Sequence, residues 1–278
     1  MRRLLLLPLI GALCASVLVA VPPAEANHSW NGYHWARTSN PFTLKLGDNV
    51  SGGWGSVLTT TSSDWSKSTV LDTAIVAGGT TPRQCRPTAG RVEVCDAKYG
   101  NNGWLGLATV WFSNSHITQG TVKLNDTYFN TSAYDTLAWR NLVSCQEVGH
   151  TLGLDHQDTN FDNTNLGTCM DYTSNPLGPP DNEHPNQHDY DELGIIYQHL
   201  DSTTTVGQTV SPAPGRSGTA PDEGPNDPAD FGRPTGVKDN YGRDIYFEKD
   251  LPDGRKLFTH VFWALPGSPG APGSGNRP

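Results

Sequence analysis

The chain has 278 residues, a formal net charge of −9 and a charged content of 17%, with its acidic residues scattered and no basic stripe. That balance argues against nucleic acid and anionic membrane as partners, because both are gripped through clustered Lys and Arg. Acidity of this kind serves the solubility of an exported protein.

The N-terminus predicts export. Arg2 and Arg3 precede an apolar stretch from Leu4 to Val21, and Ala24-Glu25-Ala26 supplies a small-x-small cleavage site. Pro8 interrupts the stretch and Pro22-Pro23 closes it, which favours a removed signal peptide over 1–26 to a membrane anchor. No later segment is apolar enough to span a bilayer. Cys14 would leave with the signal, and Cys85, Cys95, Cys145 and Cys169 would enter an oxidising compartment as an even set. Their spacing shows no C-x-x-C knuckle, so disulfides are expected rather than a metal role.

From Asn27 to Asp201 the composition suits one globular domain. Phe42 to Leu46 alternates as a strand does, Trp54 to Lys67 predicts a helix, and Val70 to Val76 and Arg91 to Val94 predict strands. Leu105 to Ile117 reads as one longer strand, and Val122 to Leu124 as a short one before Asn125-Asp126. A helix is expected from Ala133 or Tyr134 to Leu152, and another from His188 to His199. Residues 202–230, rich in Thr, Ser, Gly, Pro and Asp, predict a linker without a core. Within 231–265, Arg243 to Asp250 and Arg255 to Ala264 alternate about Pro252-Asp253-Gly254 and predict a β-hairpin. Two strands alone are marginal in water. The hairpin must therefore pack on the main domain or stand as a small binding appendage. Residues 266–278 are expected to be a disordered tail.

The chemistry concentrates in Gln146-Glu147-Val148-Gly149-His150-Thr151-Leu152-Gly153-Leu154-Asp155-His156. On a helix, positions 146 and 150 project from one face one turn apart, so two side chains can converge on one ion. Gly153 suits a left-handed residue ending that helix, after which His156 can return to the same point. The pattern resembles the metzincin signature H-E-x-x-H-x-x-G-x-x-H, with Gln146 in the place of the first His. Thr168-Cys169-Met170-Asp171-Tyr172 resembles the metzincin Met-turn, with Met170 at its methionine. Tyr172 stands where astacin-like and serralysin-like members carry a tyrosine that reaches the metal or the oxyanion. The stretch Asp189 to Tyr197 is similar to the last matrixin helix. The likeness covers about Asn27 to Asp201, most specifically 145–172.

The resemblance implies an α+β fold: a small twisted sheet, an active-site helix, a Met-turn and a C-terminal helix, here with the hairpin appended. It implies a secreted zinc endopeptidase, a monomer acting on proteins or peptides. Metal would be held by His150, His156 and Gln146, with Glu147 as general base and Tyr172 at the oxyanion. Substrate would extend along the strand near 105–117. The expected disulfides are Cys85–Cys95 and Cys145–Cys169; the second would tie the metal helix to the Met-turn, contributing about 3 kcal/mol by loop closure. Pro82-Arg83-Gln84-Cys85 is faintly similar to the thiol switch of matrixin pro-segments, but its place inside the domain favours the disulfide.

Gln146 leaves three outcomes open. Its oxygen, a poorer zinc donor than imidazole, ligates; or Tyr172 or another His fills the position, His116 first; or the site stands empty. His28, His34, His199 and His260 read as surface or packed residues, and His184 and His188 straddle Pro185, against a shared helical face. The alternative function is a catalytically impaired, secreted binding protein on the same scaffold. The loop Asp155, Asp158, Asn160, Asp162, Asn163, Asn165 offers calcium-type oxygens without the D-x-D-x-D-G register, so a solvated loop is preferred to calcium as a further cofactor.

Overall fold

A computed structural model describes residues 28–209 and 224–272. The expected signal segment and the middle of the expected linker lie outside the described residues. The architecture is mixed α+β. The strands in chain order are β1 (His34–Trp35), β2 (Phe42–Asn49), β3 (Leu71–Ala77), β4 (Val92–Ala97), β5 (Trp104–Ser113), β6 (His116–Asn125), β7 (Arg233–Pro234), β8 (Tyr246–Asp250) and β9 (Lys256–Trp263). The helices are α1 (Trp54–Trp65), α2 (Asp126–Phe129), α3 (Leu137–Thr151) and α4 (Gln187–Ile196). All nine strands join one sheet in the order β3-β2-β4-β6-β5-β9-β8-β7, with β1 beside the start of β6. β3, β2, β4 and β6 run parallel, and from β6 through β5, β9, β8 and β7 every pairing is antiparallel.

Burial follows the sequence pattern. β2 buries Phe42, Leu44 and Leu46 and exposes Thr43 and Lys45, the period-two signature of a half-buried strand. α1 buries Trp54, Val57, Leu58, Thr61 and Trp65, a helical stripe that lies on α3. The expected single strand over 105–117 is two strands, β5 and β6, turned at Asn114, whose φ is +56°. Asparagine tolerates that left-handed conformation, and the turn keeps β5 antiparallel to β6.

The hairpin predicted over 243–264 is present and is continuous with the main sheet. β9 pairs with β5 from Trp104↔Trp263 to Phe112↔Lys256, which covers the aromatic side chains the sequence left without a partner. The stretch leading into it is anchored too. The buried Lys123 ammonium donates to the carbonyls of Gly224 (2.6 Å) and Pro225 (3.2 Å) and to Asn226 Oδ1 (2.9 Å). Residues 266–272, expected in the tail, pack as well: Ala271 is buried, and Ser268 Oγ lies 2.9 Å from Tyr134 OH. Main domain and C-terminal segment thus share one core.

Both expected disulfides form, Cys85–Cys95 and Cys145–Cys169, each with Cα atoms 5.9 Å apart. Beside β4, the carboxyl of Asp96 is pushed up to about 7, first by burial and then by its hydrogen bond to Asp126. A carboxyl with a raised folded pKa favours folding while protonated. Its contribution is present below pH about 4 and is lost as pH rises through about 7. Melting temperatures measured from pH 4 to 8 should show a decline that Asp96→Asn reduces.

Candidate metal centre

α3 starts at Thr136, whose hydroxyl accepts the Trp139 amide at 3.3 Å, a helix cap. It ends at Gly153, whose φ is +99° and where any Cβ would meet the Tyr33 carbonyl at 2.3 Å. The predicted helix stop is therefore at the residue the sequence named. Beyond it the chain turns, and His156 comes back to the end of α3.

The convergence is close. His150 Nε2 and His156 Nε2 are 3.2 Å apart, and His156 Nε2 is 3.3 Å from Gln146 Oε1. The protons on these groups can be placed. His150 Nδ1 lies 2.9 Å from the Leu154 carbonyl, which can only accept, so Nδ1 donates and Nε2 is bare. Tyr246 OH donates to Asp155 Oδ1, so His156 Nδ1, 2.6 Å away, donates to that phenol oxygen, and its Nε2 is bare too. Gln146 Nε2 donates to the Cys169 carbonyl at 2.7 Å, which turns Oε1 inward. Three lone-pair donors therefore face one another with no proton between them, an arrangement that calls for a cation.

A fourth donor comes from a place the sequence did not indicate. A ring nitrogen of His260, on β9, joins those of His150 and His156 in a group whose ligand atoms all lie within 4.8 Å of one another. His260 Nδ1 donates to Glu147 Oε2 at 2.9 Å, and its Nε2 lies 2.8 Å from the Tyr172 hydroxyl. That hydroxyl has a second acceptor in the Val261 carbonyl at 3.3 Å, and Nε2 can ligate only when the hydroxyl turns there. The residue expected first as a replacement ligand, His116, is elsewhere, 3.2 Å from Asp201. His116 pairs with His34 of β1 and turns its imidazole to Asp201, whereas β9 lies next to β5 and brings His260 to Glu147. One sequence signal existed. Phe258, His260 and Phe262 alternate on one face of a strand, and an imidazole in such a row must find a buried partner.

Burial sets the electrostatics. Glu147, His150 and His260 are wholly inaccessible to solvent. Burial pushes the Glu147 carboxyl well above the usual carboxylate range, partly offset by the Ala108 backbone amide. Burial, reinforced by the neighbouring imidazoles, holds His150 and His260 well below the ordinary histidine value, so both are neutral and able to ligate. Glu147 Oε1 has no hydrogen-bond partner. That oxygen faces β5, where a Cβ on Gly106 would meet it at 2.8 Å; the fit to a cation rests on the three facing lone pairs.

Met170 is fully buried beneath α3, and its Sδ lies 2.6 Å from where a Cβ on Gly149 would stand, as does Cζ2 of Trp65. Gly149→Ala should therefore lower the melting temperature. The overpacking costs about 1–3 kcal/mol, against a helix-propensity gain of about 1 kcal/mol. The Tyr172 ring lies tilted against that of His156, with centroids 4.4 Å apart. In the loop read as calcium-like, the Asp158 and Asp162 carboxylates instead accept bonds from Asn160, Asn163, Asn240 and Tyr241.

No family model matches this chain, and no curated protein matches it. Solved structures that match its fold include myroilysin, at 12% identity and a TM-score of 0.36, over 62% of this chain and 99% of that one.

Proposed function

We propose that this chain is a secreted zinc-dependent endopeptidase of metzincin type, held latent in the described form by its own C-terminal segment. The observation that carries the reading is the convergence of Gln146 Oε1, His150 Nε2 and His156 Nε2 beside Glu147. Imidazoles with one amide oxygen suit zinc better than magnesium or calcium. When bound, zinc would supply Lewis-acid chemistry, polarising a carbonyl and acidifying water. Glu147 takes the proton from water and passes it to the leaving amine, a role served by the upward shift that burial gives its carboxyl. Tyr172 donates to the oxyanion.

In the described form each of these tasks is blocked by one strand. His260 occupies both Glu147 and Tyr172 and adds a nitrogen to the metal group. β9 fills the β5 edge, along which an extended substrate would add as a further strand. Activity therefore requires that the segment from Gly224 onward leave the sheet, with Gln146, His150 and His156 keeping the metal.

The test is a protease site placed between residues 210 and 223, followed by cleavage and removal of the fragment in mild denaturant. The uncut chain should bind zinc without degrading casein, and the released domain should degrade it in a chelator-sensitive way. A released domain that loses its zinc and shows no turnover would leave the second reading, a secreted binding protein with a closed metal site. The complete burial of Glu147 and His260 is the observation that favours it.

A further inference from the structure

A second group of metal-type donors lies away from α3, and the proposed reaction does not use it. His34 and His116 are register partners in the parallel pairing of β1 with β6, which sets their side chains on one face. After α4 the chain returns to the same place with His199 and Asp201. His34 Nε2 and His199 Nε2 are 3.2 Å apart. Asp201 Oδ1 lies 3.6 Å from each of them and 3.2 Å from His116 Nε2. In a tetrahedral zinc site with bonds of about 2.0–2.2 Å, neighbouring donors stand about 3.3–3.6 Å apart, close to these separations.

The donors are also oriented. His34 Nδ1 is 2.7 Å from the Gly32 carbonyl, so it donates there and leaves Nε2 bare toward the group. Asp201 Oδ2 accepts the Arg37 amide at 3.1 Å and its guanidinium at 2.9 Å, which leaves Oδ1 alone to face the three imidazoles. Carbonyl and guanidinium contacts of this kind fix a ligand's direction without competing for its donor atom. His34 and Arg37 are buried, whereas the His199 side chain is half exposed. The group thus has a fixed floor and an open entrance.

We infer that His34, His199 and Asp201, with His116 closing from β6, form a second, structural zinc site. The ion would join three stretches distant in sequence: β1, the start of β6 and the chain after α4. After Asp201 the chain stays on the domain, with the Thr205 and Gly207 amides donating to the Ala36 and Gly90 carbonyls, so the ion would fix the start of that stretch. The inference stands whether or not the α3 site is catalytic.

The test uses the full-length chain with zinc as the only probe. Metal content after dialysis, and melting temperature with zinc and with chelator, are measured for the wild type, His199→Ala and His34→Ala. His199→Ala changes a half-exposed side chain, so folding should survive. The expected result is one zinc fewer per chain in each variant, together with loss of a zinc-dependent rise in melting temperature that the wild type shows. Cobalt substitution should give the intense visible bands of a four-coordinate ion, reduced in His199→Ala. Equal zinc content in the wild type and both variants would overturn the inference, as would a zinc-induced stabilisation that His199→Ala leaves unchanged.

Discussion

Glu147→Gln in the released domain should cut casein turnover by at least about 10²-fold and leave its zinc content unchanged. Glu147 sits one position from Gln146 on α3, and its contact is with His260. The carboxamide keeps the shape of the side chain while removing its capacity to take a proton. In the uncut chain the same substitution should be nearly silent in melting temperature and metal content. A carboxamide is neutral, whereas burial already opposes the charge on Glu147, and the amide oxygen can still accept from His260 Nδ1. Zinc content is measured alongside turnover, so a loss of activity through lost metal is separable from a loss of the base. Retained turnover in a released, zinc-loaded Glu147→Gln domain would remove Glu147 from the reaction.

What was legible in the sequence was local. The run from Gln146 to His156 fixes a helix and its stop because its spacing is helical and Gly153 supplies the left-handed residue. The helix starts were less legible: α3 begins after the expected Ala133 or Tyr134 because Thr136 caps it, and α4, capped by Asn186, begins one residue before the expected His188. The two disulfides follow from requirements that join nearby elements. The closed state of the site was not legible, because it depends on one strand pairing, β9 on β5, between residues about 150 positions apart. No periodicity encodes a partner across that separation. The alternation around Phe258, His260 and Phe262 predicted the hairpin but not the strand edge it would take. The turn at Asn114 carries a local signal that a single strand over 105–117 passes over: Ser113-Asn114-Ser115 is polar and exposed, the mark of a turn.

A ligand series on the uncut chain should settle the place of Gln146. His150→Ala and His156→Ala should each abolish zinc retention against a chelator, since each removes a buried, neutral imidazole whose Nε2 has no other partner. His260→Ala should weaken retention by at least about tenfold, a loss on the scale of removing a supporting group of a metal site, because Gln146, His150 and His156 remain. It also leaves Glu147 Oε2 without its donor, a buried unmet acceptor worth about 1–3 kcal/mol, so its melting temperature should fall even in chelator. Gln146→Ala should have the smaller effect on zinc in the uncut chain, where His260 completes the site. In the released domain, where His260 is gone, the same change should empty the site. That reversal of rank distinguishes a latent peptidase from a closed structural centre. In a closed centre, removing the C-terminal fragment would itself discharge the metal, and Gln146 would count for little in either form.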